Sequence, residues 1–154
     1  MRIIAGYLRG KKIIPPKDKN TRPLRDLVKE SLFNIIKHSK NINCEIQNSK
    51  ILDLFSGCGS FGLEAISRDA KKIVFVENYK NAINILKLNI KNLETYSKCK
   101  IIEKDCLDFI NLIDKNSEIF DIIFLDPPYK YKKTNILIEK IIEKKILSKN
   151  GIMI

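Results

Sequence analysis

The stretch Ile51-Leu-Asp-Leu-Phe-Ser-Gly-Cys-Gly-Ser-Phe-Gly62 decides the fold, because an apolar run leads directly into a glycine-rich turn. The residues before the turn predict a buried strand, and the apolar positions from Phe61 onward predict a helix. Glycines spaced as G-x-G-x-x-G between a strand and a helix are typical of folds whose backbone closely approaches a nucleotide-like ligand. The stretch therefore predicts a strand–turn–helix unit with a ligand-binding turn.

Strands and helices alternate along the rest of the chain, which indicates a parallel sheet covered by helices on both faces. The pattern predicts strands at 51–55, 72–76, 100–103, 119–125 and from 152, and helices at 61–68, 81–93, 107–113 and 134–146. The fold class is therefore α/β, with a doubly wound and mostly parallel sheet. Ligands bind such sheets at the carboxyl ends of the strands.

The first 39 residues have a different pattern and predict a small extension in front of the sheet domain, which we assign to residues 50–154. Two short β-like runs, 2–6 and 10–14, predict a β-hairpin. A helix is predicted after Thr21, with Pro23 in its first turn and its end near Lys37. Helical spacing predicts one apolar face on it, formed by Leu24, Leu27, Val28, Leu32, Ile35 and Ile36. Residues 39–49 form a polar connector.

Positive charge is concentrated in this N-terminal extension. The chain has a net charge of +11, and residues 1–50 contain 12 basic and 4 acidic residues. Four of the five arginines lie within the first 25 residues, and arginine can bind phosphate with two parallel hydrogen bonds. Arg2, Arg9, Arg22 and Arg25 therefore predict contact with a nucleic acid, the alternative being a solvated basic surface.

Composition also narrows the class of protein. No apolar run reaches 18 residues and no signal peptide is evident, which predicts a cytoplasmic protein without a membrane-spanning helix. Cys44, Cys58, Cys99 and Cys106 are irregularly spaced, which favours buried free thiols over disulfides or a zinc site, so no metal is predicted. The single histidine, His38, is interpreted as structural or solvent-exposed.

Three carboxylates lie at strand ends, where a ligand would bind. Asp53, within the strand that precedes the glycines, suits a cationic ammonium better than a pyrophosphate, which argues against a dinucleotide. Glu77 follows the second strand about 20 residues after Gly57, the position at which an acid binds ribose hydroxyls. Asp105 follows the third strand and could contact an adenine amino group or cap the next helix.

Asp126-Pro-Pro-Tyr129 follows the apolar strand 119–125. A carboxylate, two ring-locked residues and an aromatic ring predict a rigid polar opening beside a stacking surface. Asp126 and the carbonyl of Pro127 could accept the two N–H groups of an exocyclic amine, and Tyr129 could stack on its base. Together with the glycine-rich turn, this motif predicts methylation of an amino group; the alternative is a proline-rich turn that closes a strand.

The chain resembles the RsmD-type methyltransferases, bacterial enzymes that methylate N2 of a guanine in 16S ribosomal RNA with S-adenosylmethionine. The resemblance covers essentially the whole chain and is carried by Arg2-Ile-Ile-Ala-Gly-Tyr-Leu-Arg-Gly-Lys-Lys-Ile13, Thr21-Arg-Pro-Leu-Arg25, Glu30-Ser-Leu-Phe-Asn34, Asp53-Leu-Phe-Ser-Gly-Cys-Gly-Ser-Phe-Gly-Leu-Glu-Ala65, Phe75-Val-Glu77 and Asp126-Pro-Pro-Tyr129. It implies a Rossmann-like methyltransferase sheet. The N-terminal motifs narrow the family, since many amino methyltransferases share the glycine-rich motif and Asp126-Pro-Pro-Tyr129.

The resemblance also implies roles for individual residues. The cofactor S-adenosylmethionine would be held by Asp53, Phe55, Gly57, Gly59, Glu77, Asn78, Asp105 and Cys106. The target base would be held by Asp126, Pro127, Pro128 and Tyr129. The hairpin and the segment Thr21–Arg25 would face the cofactor and the RNA. The expected partner is ribosomal RNA or the assembling small ribosomal subunit, and no association with a membrane is expected.

Two other functions are compatible with these residues. One keeps the cofactor and changes the acceptor, to a DNA adenine or cytosine amine or a protein glutamine; the other is an RNA-binding remnant without catalysis. The family's sheet continues beyond the strand that begins near Ile152 with two further strands. We therefore expect a C-terminally incomplete domain here, a monomer if the protein is longer and association through the sheet edge if it ends at Ile154.

Overall fold

The computed structural model describes residues 1–16, 24–115 and 117–154, and places five parallel strands in one sheet of order β3-β2-β1-β4-β5. The predicted α/β fold is confirmed. The strands are β1 (Lys50–Leu54), β2 (Lys72–Val76), β3 (Cys99–Ile102), β4 (Phe120–Leu125) and β5 (Leu147–Met153). The helices are α1 (Asp26–His38), α2 (Ser60–Ser67), α3 (Lys80–Asn92), α4 (Cys106–Leu112) and α5 (Thr134–Lys144).

The connections leave β1 in the middle of the sheet, between β2 and β4. The chain moves outward to β3 on one side and then returns to β4 on the other, so the strand order reverses beside β1. A crevice opens at such a reversal because the two connections diverge there. Both predicted motifs follow these central strands, the glycine-rich turn after β1 and Asp126–Tyr129 after β4.

Helix α1 differs from the sequence prediction in its start and in its buried face. Arg25 has an extended backbone and α1 begins at Asp26, later than predicted; Thr21 and Pro23 lie outside the described residues. Lys29, Phe33 and Ile36 are buried, whereas Leu27 and Ile35 are 75% and 56% exposed. The predicted face is right for Ile36, which is buried, and for Leu24 and Leu32, which pack against the core. It is wrong for the exposed residues because hydrophobic spacing counts Lys29 as a surface residue.

Lys29 can be buried because its ammonium group is compensated. Its Nζ donates to the carbonyl of Arg2 at 2.9 Å and lies 3.6 Å from Oε2 of Glu64, whose side chain is also fully buried. Glu64 accepts hydrogen bonds from the backbone N–H groups of Ile4 and Ala5 and from Nε of Arg68. This α2 carboxylate therefore connects α1 and the N-terminal turn to the sheet domain.

The predicted N-terminal hairpin is present in reduced form, with one antiparallel bridge between Arg2 and Lys12. It packs against the C-terminal part of α2, where Tyr7 and Leu8 donate backbone hydrogen bonds to Ser67. A side chain at Gly6 would meet the carbonyl oxygen of Ser67 at 1.7 Å, and Gly6 has a φ of +82°, so this approach requires glycine. Ile3, Leu8, Ile13 and Phe33 share one core with the sheet.

Two predictions from the composition concern the cysteine thiols and membrane-spanning helices. Cys44, Cys58 and Cys106 are buried and Cys99 is partly buried, which confirms mostly buried thiols. Within the described ranges, no helix is long and apolar enough to cross a membrane.

Candidate active site

A cavity of about 680 Å³ opens at the carboxyl ends of the strands, beside the reversal in strand order. Four acidic side chains line it, each from the end of a different strand: Asp53 in β1, Glu77 after β2, Asp105 after β3 and Asp126 after β4. Parallel strands bring these ends to one edge, so residues distant in sequence face the same space. The cavity is therefore acidic at its base.

The glycine-rich turn forms one wall of the cavity. Gly57 and Gly59 have φ values of +55° and +84°. A Cβ on Gly59 would lie 2.5 Å from Cδ1 of Leu86, and one on Gly62 would lie 2.3 Å from Cε1 of Phe75. The first two glycines therefore allow a sharp turn, and Gly62 allows α2 to pack closely on β2.

Asp53 is the most deeply buried carboxylate of the cavity, with only 1% of the residue exposed. Its Oδ2 accepts a hydrogen bond of 3.2 Å from the backbone N–H of Gly62. Burial raises the pKa of Asp53 to about 8; the Gly62 N–H group opposes this shift, and the nearby Glu77 and Asp126 add to it. A cationic ligand beside Asp53 would favour its ionised form.

Glu77 holds the glycine-rich turn against the end of β2. Its Oε2 accepts from the N–H of Gly57 at 2.8 Å, and its Oε1 accepts from Asn78 and Tyr79 at 2.9 and 2.8 Å. An ionised carboxylate has about four acceptor positions, so the group retains capacity for a ligand hydroxyl. Phe55, which has a φ of +62°, and Asn78 lie on the same wall.

Asp105 has the helix-capping role that the sequence left open, and it also lines the cavity. Its Oδ1 accepts from the N–H groups of Leu107 and Asp108, the first turn of α4. Cys106 and Gly59, which were also predicted to hold the cofactor, are not among the residues that line the cavity. The Cys106 side chain is buried in the core, which raises the pKa of its thiol to about 12.

The motif after β4 forms the opposite wall and the rim. Asp126 is exposed toward the cavity, yet desolvation by the surrounding protein raises the pKa of its carboxyl group. Pro127 is partly buried and Pro128 is exposed, and the carbonyl of Pro128 accepts from the N–H of Tyr131 at 2.8 Å. Tyr129 is 93% exposed at the rim. The motif thus presents a carboxylate inside the cavity and an aromatic ring outside it.

Several lining residues were missed by sequence reasoning. The rings of Phe61 and Phe124 stack at 3.9 Å with an interplanar angle of 9°, and Phe55 meets Tyr131 edge-on at 4.8 Å. Phe124 was interpreted only as part of an apolar strand. The other lining residues that were not predicted as site residues are Pro16, Leu24, Val28, Ser56, Cys58, Ser60, Tyr79, Lys130 and Tyr131. Apolar spacing alone does not distinguish a cavity wall from a core.

Two hydroxyl groups of the cavity wall have no hydrogen-bond partner among the described residues. Oγ of Ser60, in the first turn of α2, and the hydroxyl oxygen of Tyr131 are both buried. Burial and the Asp105 carboxylate raise the pKa of Tyr131 to about 12, so its hydroxyl group remains protonated at neutral pH.

Whereas the four acidic residues all line the cavity, the predicted arginines do not all lie there. Arg25, immediately before α1, lines the cavity. Arg2 and Arg9 are exposed in the N-terminal turn, which packs against the far end of α2, and Arg22 lies outside the described residues. No cluster of three or more metal-binding side chains occurs in the part of the chain that the structure describes.

Residues 1–154 match the family described as conserved hypothetical protein 95. The chain is also 38% identical, over 99% of its length and 76% of the other protein, to Ribosomal RNA small subunit methyltransferase D of Haemophilus influenzae. The chain belongs to the RsmD-type methyltransferase family. The predicted family is therefore confirmed.

Further similar proteins are also described as methyltransferases or methylases. Ribosomal RNA small subunit methyltransferase D of Buchnera aphidicola (from Acyrthosiphon pisum) is 39% identical, over 97% of this chain and 73% of that protein. A solved structure of an Escherichia coli protein described as a methyltransferase has a TM-score of 0.76 at 28% identity, covering 100% of this chain and 75% of that one. A Haemophilus influenzae protein described as a methylase has a TM-score of 0.72 at 37% identity, covering 93% and 73%.

Proposed function

We propose that this chain transfers a methyl group from S-adenosylmethionine to the exocyclic N2 amine of a guanine in 16S ribosomal RNA. The observation that carries the proposal is the position of Asp126, which faces the same acidic cavity as the glycine-rich turn. The relatives named Ribosomal RNA small subunit methyltransferase D support ribosomal RNA as the substrate.

The residues of the cavity fit a cofactor with an ammonium group, a sulfonium, ribose hydroxyls and an adenine. Four carboxylates favour a positively charged ligand, and the buried Asp53 gains most from a cation because its ionised form is destabilised without one. Glu77 would accept from the ribose hydroxyls and Asp105 from the adenine amine. The backbone of Gly57 and the side chains of Phe55 and Asn78, which line the cavity, would complete the cofactor site.

Bound S-adenosylmethionine supplies a methyl group on a sulfonium sulfur, an electrophile that needs no further activation. The weak partner is the amine, since the lone pair of guanine N2 is delocalised into the ring. Asp126 and the carbonyl of Pro127 would accept its two N–H groups and so favour a pyramidal nitrogen. These contacts strengthen as positive charge develops on the nitrogen, and that difference lowers the barrier.

Proton balance assigns a second role to Asp126. Transfer of the methyl group would leave the amine nitrogen with one proton too many, and this proton would have to be removed. Desolvation makes the Asp126 carboxylate more basic than an exposed aspartate, which suits it to accept that proton and pass it to water. Pro127 and Pro128 hold the carboxylate in place by restricting the backbone.

Tyr129 would stack on the target base from the rim of the cavity. Bases in single-stranded RNA are recognised largely by such stacking. Arg2, Arg9, Arg22 and Arg25 would contact the phosphates of the same RNA, with Arg25 closest to the cavity among those that the structure describes.

The proposal is tested by incubating the protein with S-adenosylmethionine and either a 16S ribosomal RNA transcript or small subunits that lack the modification. Digestion to nucleosides and mass spectrometry then identify the product. We expect N2-methylguanosine with wild type and almost none with Asp126→Ala. Methyladenosine or methylcytidine would contradict the guanine assignment, and absence of methylated nucleoside with every RNA substrate would contradict the enzymatic role.

A further inference from the structure

The charge on the cavity rim is opposite to the charge inside the cavity. The carboxylates of Glu77, Asp105 and Asp126 make the interior negative, and Asp53 adds to this charge when it ionises. Arg25 lines the cavity, and so do the first three residues of the segment Tyr129-Lys-Tyr-Lys-Lys133. Lys130, Lys132 and Lys133 of this segment are exposed. We name residues 129–133 the basic lip. The arrangement separates a negative interior from a positive entrance.

The basic lip is held in place by its middle residue. The N–H of Tyr131 donates to the carbonyl of Pro128 at 2.8 Å, and the Tyr131 ring packs against Phe55 on the cavity wall. The Tyr131 ring is therefore held against the cavity wall, whereas Lys130 and Lys132 are exposed and Tyr129 is 93% exposed. The basic lip thus presents an exposed aromatic ring and three exposed lysines at or next in sequence to the residues that line the cavity.

The lysines of the basic lip lack the ion pairs that would explain them as stabilising residues. None pairs with an acidic side chain among residues 1–16, 24–115 and 117–154. Lys133 is the N-cap of α5, whose first turn contains no acidic residue. Positive charge at a helix N-terminus is unfavourable, because that end of the helix already carries partial positive charge. A bound anion would relieve this repulsion.

We propose that the basic lip binds the phosphates of a single-stranded RNA segment that flanks the target base. This inference rests on the proposed function and adds an RNA-binding surface separate in sequence from Arg25. The carboxylates repel a phosphate backbone from the cavity, whereas an uncharged base can enter. Lysines interleaved with an exposed aromatic ring are suited to a single strand, since they bind phosphates while the ring stacks on a base.

The test is RNA binding measured over a series of KCl concentrations, by fluorescence anisotropy with a labelled single-stranded, guanine-containing RNA. The variant Lys132→Gln/Lys133→Gln removes two charges from the basic lip at positions outside the cavity wall. We expect the slope of log affinity against log salt to fall by about 0.7 for each phosphate that the variant no longer binds. A variant with the wild-type slope would overturn the proposal.

The matched control is Lys71→Gln/Lys72→Gln. These two exposed lysines are also adjacent in sequence, but they lie at the start of β2, at the opposite edge of the sheet. We expect the control to retain the wild-type slope; an equal fall in both variants would mean that net charge alone acts, and would refute a specific surface.

A competition experiment separates RNA from acidic protein as the partner. Polyuridylate should displace the labelled RNA at a lower charge concentration than polyglutamate does. Equal competition would overturn the assignment to RNA. Because these measurements need no turnover, salt-dependent RNA binding at the basic lip without guanine methylation would refute the proposed function alone.

Discussion

The carboxylate of Glu77 accepts a hydrogen bond of 2.8 Å from the backbone N–H of Gly57, so the end of β2 is tied directly to the turn after β1. This hydrogen bond connects the residue proposed for the ribose to the glycines proposed for the rest of the cofactor. Removal of the Glu77 side chain would therefore affect the cofactor site in two ways, because the ribose would have no acceptor there and the turn would be less ordered.

Glu77→Ala should weaken S-adenosylmethionine binding by about 10- to 100-fold, because hydrogen bonds to a charged acceptor contribute about 1.5–3 kcal/mol. Titration calorimetry measures the affinity. The matched control is Glu103→Ala, an exposed glutamate after the neighbouring strand β3. The assignment fails if Glu77→Ala binds the cofactor as wild type does, or if both substitutions weaken binding equally.

Asp126→Ala should lower the rate of methyl transfer by about 10²- to 10³-fold, by analogy with the removal of one transition-state hydrogen-bond partner. Its cofactor affinity should stay close to that of wild type and above that of Glu77→Ala. Single-turnover kinetics measure the rate, and Asp108→Ala, at an exposed position in α4, is the control. Full turnover by Asp126→Ala would remove this carboxylate from the mechanism.

Tyr129→Ala should raise the KM for RNA, because stacking on an aromatic ring contributes about 1–3 kcal/mol per base. Tyr129→Phe keeps the ring and should retain most of the affinity. Steady-state kinetics with both variants distinguish stacking from a role of the hydroxyl group. If Tyr129→Phe is as impaired as Tyr129→Ala, the proposed stacking interaction is wrong.

Cofactor affinity should rise with pH between pH 6 and 8. The pKa of Asp53 is raised to about 8, so this group is mostly protonated at pH 6 and ionises as the pH increases. A cationic ligand binds the ionised form better, which gives up to about a tenfold gain per pH unit below the pKa. Calorimetry at several pH values checks this. Asp53→Asn should bind weakly and without this dependence, and a flat wild-type profile would argue against the ammonium contact.

The free energy of unfolding of the ligand-free protein should fall as the pH rises, whereas the cofactor affinity should increase. Folding raises the Asp53 pKa from its ordinary value of 3.8, so between about pH 4 and 8 the folded state holds more protons than the unfolded state, and the free energy of unfolding falls as the pH rises. Asp53→Asn removes this contribution. Denaturant unfolding should therefore show the variant gaining stability over wild type at pH 8 and much less at pH 5. An equal difference at both pH values would contradict the raised pKa.

Much of the fold could be predicted because each strand and helix has a local pattern. The run before Gly57 and the alternation after it lead to the observed sheet. The buried face of α1 could be predicted only in part, since Lys29 becomes an interior residue only through Glu64 and the Arg2 carbonyl, contacts made by distant parts of the chain.

The residues of the candidate site were likewise predictable only in part. Asp53, Glu77 and Asp126 were identified because acids at strand ends meet at one edge of a parallel sheet. Phe124 and Tyr131 were missed, since one lies in a fully apolar strand and the other in a lysine-rich segment. Their part in the cavity wall depends on the stacking of Phe124 on Phe61 and of Tyr131 on Phe55, and neither contact has a local sequence pattern.

Both ends of helix α2 make specific contacts, and this restricts where residues can be inserted into the sequence. Gly57 and Gly59 precede the helix at the cavity, while Glu64 and Ser67 hold the N-terminal segment farther along it. One inserted residue between them would rotate the second set by about 100° around the helix axis and shift it by about 1.5 Å. A rotation of this size would break one of the two sets of contacts. The polar connector at 39–49 is not helical, so an insertion there rotates no set of contacts around a helix axis. Insertions can therefore accumulate in the connector, while the spacing from Gly57 to Ser67 stays fixed in length.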